Sequence, residues 1–256
     1  MSAKVVWQTK SPIVLESFKQ KKITSIIKGG NVYNFQAAIA LAMKFDVTID
    51  ESAIKQDHHN VLKYYLRHRL NTPQADVTVK ENYPVVVGAI NKNSKNIALI
   101  HHIDKINSGQ SYGHKVFFVE LFRKLRKMDL VITVSEYWKI FLEEHGCKNV
   151  KVIYNSFVPE DYKIEQNDVV EFRKKYSIPD RPIVYIGNAH KQKGVYEAYD
   201  ALKGLDVELI MTEAQNMASD LPVRFLSLSR KEFITLLHAS EVVVLMSKLM
   251  EGWNRV

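Results

Sequence analysis

A single cysteine, Cys147, in 256 residues leaves no internal disulfide to form, which fits a reducing, cytoplasmic setting. No apolar run approaches the roughly 18 residues that span a bilayer, and the N-terminus carries no signal-peptide core. Internal repeats and low-complexity tracts are absent. A helix-turn-helix pattern and an aromatic-rich single-strand platform are missing too, which ranks nucleic acid low among the partners. His58, His59 and His68 have no carboxylate or cysteine to complete a ligand set, so no metal site is expected. Cys147 follows Gly146 in a turn with no base beside it, and thiol chemistry is not expected either. Acidic residues are in deficit in one half only. Residues 1–160 carry 23 Lys and Arg against 14 Asp and Glu, a net +9, whereas residues 161–256 carry 13 against 14, a net −1. The first half is therefore expected to meet something anionic: nucleic acid, a phospholipid surface and a phosphorylated acceptor all qualify, with solubilising charge as the bland alternative.

What is present is an alternation of apolar strands and helical patterns. Strands are expected at 4–8, 46–49, 83–89, 96–101, 130–134, 151–154, 182–186, 207–211, 223–226 and 242–246. Most are short and continuously apolar, as strands buried on both faces of a parallel sheet should be. Segments with a 3.6-residue period fall between them, at 34–44, 58–70, 114–127, 136–145, 169–176, 195–202 and 230–238. The alternation predicts an α/β fold with right-handed crossovers. Ser135 and Gly146 punctuate one helix, and Ser229-Arg230-Lys231-Glu232 reads as a capping box for another. A seam is expected near 155–161, where Pro159 follows a strand and the charge balance changes sign. It separates domains 1–160 and 161–256, two α/β units facing a cleft.

Two stretches of the second half carry chemistry. The strand 183–186 runs into Gly187-Asn188-Ala189-His190-Lys191-Gln192-Lys193-Gly194. A turn at Gly187, a cation at Lys193 and a helix starting at Gly194 make a diphosphate cradle from backbone N–H groups, helix dipole and point charge. The strand 242–246 delivers Ser247 to a short loop, after which Glu251-Gly252 stands where a helix should begin; a carboxylate there can accept hydrogen bonds from hydroxyls.

The order of segments resembles the retaining GT-B glycosyltransferases of family four. The resemblance begins with Gly29-Gly30 before an alanine-rich helix and Asp46-Val47-Thr48-Ile49, and it continues through the strand ending at His101. Met128–Glu136, Val152-Ile153-Tyr154-Asn155-Ser156, Phe172–Tyr176, the Gly187–Gly194 loop, Val223–Leu226, Ser247 and Glu251-Gly252 complete a colinear set that covers nearly the whole chain. It implies a GT-B-like architecture of two Rossmann-like domains facing a cleft, with an N-terminal acceptor-side domain and a C-terminal domain that binds a nucleotide sugar. It implies transfer of a sugar from a nucleotide-diphosphate donor to an acceptor hydroxyl, with retention and without a divalent metal or cofactor. By the same resemblance Lys193 contacts the diphosphate, Glu251 the donor sugar and His101 the transferred sugar, while Gly29-Gly30 lies near the donor phosphates and acceptor. Glu251 is the first glutamate of the family's Glu-x7-Glu motif.

The sequence departs from that pattern in three places. Asn188 stands where the family has arginine, leaving His190 or Lys191 as the replacement cation. His102 follows His101, so either imidazole is a candidate for the cleft. The second glutamate would fall at position 259, past Val256, and the donor domain is therefore expected to be incomplete. The alternative reading is a non-catalytic module that binds nucleotide sugars or polyanions. The segment 115–127, rich in phenylalanine, lysine and arginine, reads either as a sheet-packing helix or as an interfacial helix on anionic lipid.

Overall fold

The structure, a computed structural model, describes residues 2–22, 29–50, 74–103, 112–157, 159–213 and 218–248. They form two compact units, one ending at Ser156 and the next beginning at Phe157.

The first unit is built on strands β1 (Lys4–Gln8), β2 (Asp46–Asp50), β3 (Val77–Glu81), β4 (Lys95–Ile100), β5 (Leu130–Thr133) and β6 (Val150–Val152). All neighbours pair in parallel, in the order β2-β1-β3-β4-β5-β6. Val5, Val6 and Trp7 of β1 and Ala98, Leu99 and Ile100 of β4 are all buried, because helices cover both faces of the sheet. The covering helices include α1 (Pro12–Gln20), α2 (Gly30–Ala42), α3 (Asn82–Val87), α4 (Tyr112–Leu125) and α5 (Glu136–Glu144). Ser135 caps α5 through a 3.4 Å bond from the Trp138 N–H, as its sequence predicts, and Gly146 follows the helix at φ 86°.

Two elements correct the sequence reading. The expected strand at 83–89 is α3, and the strand is instead Val77–Glu81. Pro84 has no N–H for a central ladder but fits a helix's first turn. The carbonyl end of α3 is satisfied from inside the protein. Lys124 Nζ lies 2.5 Å from the Val86 oxygen and 2.6 Å from that of Gly88, and Lys80 Nζ bonds the Ala89 carbonyl. Burial and the Lys124 charge push the Lys80 ammonium down to about 8, against which Asp50 pulls upward. Helix α1 has no counterpart in the expected elements; Ser11 caps it by accepting from the Val14 N–H at 3.4 Å. The expected helix at 58–70 lies outside the described residues.

The second unit holds β7 (Ile183–Asn188), β8 (Glu208–Thr212), β9 (Arg224–Leu226) and β10 (Val242–Val243), parallel in the order β10-β7-β8-β9. Helices α6 (Gln166–Lys175), α7 (Val195–Leu202) and α8 (Arg230–Ala239) accompany them. Ile183, Tyr185 and Ile210 pack with Phe172 and Leu236 on one side; Val184, Ile186 and Met211 pack with Val195 and Ala198 on the other. The capping box expected at Ser229–Glu232 is present. At the start of α6 the box is Glu165 with Asp168, so the helix opens at Gln166, three residues before the expected segment 169–176.

In both sheets the strand order reverses next to the first strand of the unit, between β1 and β3 and between β7 and β10. Ligands of open parallel sheets collect outside the carboxyl ends of the strands at such a reversal. Each unit carries a cluster of candidate residues at that place.

Candidate functional site

The second-unit cluster starts at the end of β7. Gly187 does not make the expected tight turn. It stays in the strand at φ 93°, beside a register shift between Tyr185 and Asn188, and Asn188 still pairs with Thr212. That positive φ suits glycine and gives the strand a bulge that aims the following loop. His190 caps the short 3-10 turn Lys191–Lys193, its Nδ1 accepting the Gln192 N–H at 3.2 Å. That ring nitrogen is turned to the backbone, and Lys191 and Lys193 carry the permanent cationic charge of the loop. Lys193 is half-buried directly before Gly194.

Gly194 holds the cluster together. Its φ of 70° is left-handed, and a Cβ there would stand 2.8 Å from the carbonyl carbon of Met246 and closer still to its oxygen. The expected strand 242–246 is correspondingly short. Only Val242 and Val243 belong to the ladder, the Val244 N–H bonds Tyr185 O at 2.8 Å, and the chain then bends over the loop. There the Lys248 N–H meets Gln192 O at 2.9 Å and the Lys248 ammonium pairs with Glu197. Glu197 sits in the first turn of α7, where Lys248 holds its carboxyl below the usual range and screens it from an incoming anion. Sequence reading passed over Lys248, whose only sequence signal is its place directly after Ser247. Ser247 lies in the same docked segment, while Glu251 and Gly252 lie outside the described residues.

The first-unit cluster gathers at the carboxyl ends of β1, β3 and β4. Gly29 is the N-cap of α2 at φ 53°. A Cβ on Gly30 would touch the His101 ring at 3.4 Å, so the glycine lets the helix start lie against the imidazole. Tyr33 meets that ring edge-on, with centroids 4.9 Å apart, and buried Asn34 places Oδ1 2.7 Å from His101 Nε2. The structure thus distinguishes the two histidines. His101 faces this cluster, while His102 is exposed and its carbonyl accepts from Asn82 at 2.9 Å. Glu81 is a further residue that sequence reading missed. Trp7 Nε1 donates to it at 3.2 Å and Thr9 Oγ1 at 2.8 Å. Burial pushes its carboxyl up to about 7, against the opposing pull of these donors, Lys10 and Asn34.

No family model matches the chain, and no curated protein matches it. Solved structures do. Sucrose-phosphate synthase from Thermosynechococcus elongatus superposes with a TM-score of 0.72 at 12% identity, over 99% of this chain and 77% of its own. Anabaena HepE in complex with UDP-glucose gives 0.66 at 17% identity, over 99% and 76%. A trehalose-6-phosphate synthase structure from E. coli, bound with UDP-2-fluoro glucose, gives 0.56 at 11%, over 98% and 80%. This chain has the GT-B fold. Within that fold the structure brings Gly187, Asn188, His190, Lys193, Gly194 and Ser247 into one cluster, and Gly29, Gly30 and His101 into the other. The helix at 115–127 is packed rather than free. Phe117 stacks on Tyr83 at 6.2 Å and Phe122 lies tilted against the His145 ring at 4.6 Å, leaving Tyr112, Val116 and Val119 as its exposed apolar residues.

Proposed function

We propose that this GT-B chain is a glycosyltransferase that takes its sugar from a nucleotide-diphosphate donor. The supporting observation is the seat of residues 246–248 on the β7–α7 loop, which sets Lys193, Gly194 and Ser247 together at the strand-order reversal. Solved GT-B neighbours carry UDP-glucose or a UDP-sugar analogue, which favours a uridine diphosphate sugar as first candidate.

In this reading Phe157 onward is the donor domain and the residues up to Ser156 face the acceptor. As the bond between the anomeric carbon and the β-phosphate oxygen breaks, its electron pair stays on that oxygen. Lys193 and the loop N–H groups stabilise the developing charge. The acceptor oxygen bonds the anomeric carbon on the same face, with retention, and its proton passes to the leaving diphosphate. Glu251 orients sugar hydroxyls and His101 bonds the transferred sugar. Protein cations neutralise the diphosphate without a divalent metal.

The direct test is Lys193→Ala, with UDP-glucose binding measured by calorimetry and turnover by release of UDP. Loss of one preorganised donor is expected to cost about 2.7–4 kcal/mol, or about 10²–10³ in turnover. The melting temperature should hardly move, because Lys193 contributes little to the core. Wild-type-like turnover in that variant removes the assigned role.

The acceptor is proposed to sit at an anionic membrane surface, contacted by Tyr112, Val116 and Val119 beside the exposed Lys115 and Arg123 of α4.

A further inference from the structure

The docked segment brings a second lysine to the start of α7. The Lys248 N–H bonds Gln192 O at 2.9 Å and Met246 lies against Gly194, so the backbone of residue 248 rests on the turn that carries Lys193. From there the Lys248 side chain reaches Glu197, in the first turn of α7, and pairs with its Oε1. The Oε2 of Glu197 is buried, and no other residue donates to it. The carboxylate is thus held by packing on one side and presents the other to the ammonium, which fixes where Lys248 points.

This arrangement suits a phosphate oxygen. An ammonium has three N–H donors, and Glu197 engages Lys248 through one oxygen alone. The Lys248 side chain is 58% exposed, so its other donors are open to a ligand. The first N–H groups of a helix have no partner inside it, and the α7 N-cap, Gly194, has no side chain to supply one. Backbone donors therefore lie between two ammonium groups, with Lys193 before the helix and Lys248 over its first turn. Asn188 at the end of β7 brings no charge, and a diphosphate carries more negative charge than Lys193 alone can offset. An ion pair as exposed as that of Lys248 and Glu197 contributes little to folding.

We propose that Lys248 is a second cation for the donor diphosphate, positioned by Glu197, with one N–H on the carboxylate and the others on a phosphate oxygen. The proposal deepens the transferase reading and rests on it for the identity of the anion. In the bound state the ammonium stands between two anions, the diphosphate and Glu197. Its removal leaves them facing each other across the start of α7.

The test compares ligands that share a nucleoside and differ in phosphate. Lys248→Met keeps most of the stem and removes the charge. Its affinity for UDP and UDP-glucose, read by calorimetry, should fall about 10–100-fold. Uridine binding, followed by NMR titration, should stay within about twofold, and the melting temperature within about 3 °C. Lys248→Arg keeps a cation and should recover most of the lost UDP affinity. In a Glu197→Gln background Lys248→Met should cost only about threefold, because no carboxylate then faces the phosphates. Unchanged UDP affinity in Lys248→Met, equal weakening of uridine and UDP, or the same loss in both backgrounds overturns the proposal. UDP binding that depends on Lys248, with no turnover of any nucleotide sugar by the wild type, sinks the transferase reading and leaves Lys248 as a diphosphate ligand. Turnover with UDP affinity indifferent to Lys248 does the reverse, and a wild type that binds no UDP overturns both.

Discussion

Gly194→Ala perturbs one atom at the point where the docked segment touches the β7–α7 loop. Two costs follow from the geometry. A residue other than glycine at φ 70° is strained by about 1–2 kcal/mol. The new Cβ would also stand 2.8 Å from the Met246 carbonyl carbon, so residues 246–248 must retreat. That retreat lengthens the bond from the Lys248 N–H to Gln192 O, now 2.9 Å, and loses about 1 kcal/mol. The exposed pair of Lys248 with Glu197 adds little. Together the variant should lose about 2–3 kcal/mol, read as a lower urea midpoint at unchanged slope. UDP-glucose affinity should fall with it, because the seat of Ser247 is displaced. Gly204→Ala is the control: nothing lies within 4 Å of a Cβ there, and it should stay within about 0.5 kcal/mol of wild type. A Gly194→Ala loss below about 0.5 kcal/mol, with donor binding intact, refutes the docking argument.

Three further outcomes are expected. The buried Lys80 ammonium has its folded value lowered to about 8 from 10.5, so between those values the unfolded chain holds more protons and stability rises with pH. The penalty, about 3 kcal/mol at most, is fully present below about pH 8. The stability of wild type minus that of Lys80→Met should therefore climb between pH 8 and 10, and a flat difference contradicts the burial assignment. Turnover should survive dialysis against EDTA, and metal-restored activity would reverse the proposed neutralisation by Lys193. Sedimentation with anionic vesicles should weaken when Val116 and Val119 both become Ser, and binding to neutral vesicles alone would discard the charge argument.

The sequence conveyed the alternating plan well because buried parallel strands are short apolar runs whose neighbours need helices. Lys4–Gln8 and Val195–Leu202 fall where their patterns put them. It failed at 77–89 for a reason visible in the structure. Lys80 and Glu81 make the true strand look polar, yet both are held inside by distant partners, Ala89 and Trp7. The Val-Val-Val run of α3 looks like a strand until Pro84 is weighed and Lys124 is seen to meet its last carbonyls. The loop glycines, Lys193 and Ser247 were legible as one candidate group. Asn34, Glu81 and Lys248 were not, since their meaning lies in contacts across 67, 74 and 51 positions respectively.

The ammonium groups of Lys80 and Lys124 have a consequence for how the protein is felt from outside. They are 1% and 7% exposed, enclosed by carbonyl oxygens, and so contribute little to the electric field beyond the molecular surface. The basic excess of the first half is thus partly internal wiring. Fewer cations than the bare tally lie within the Debye length of about 8 Å over which a polyanion is drawn in at physiological salt.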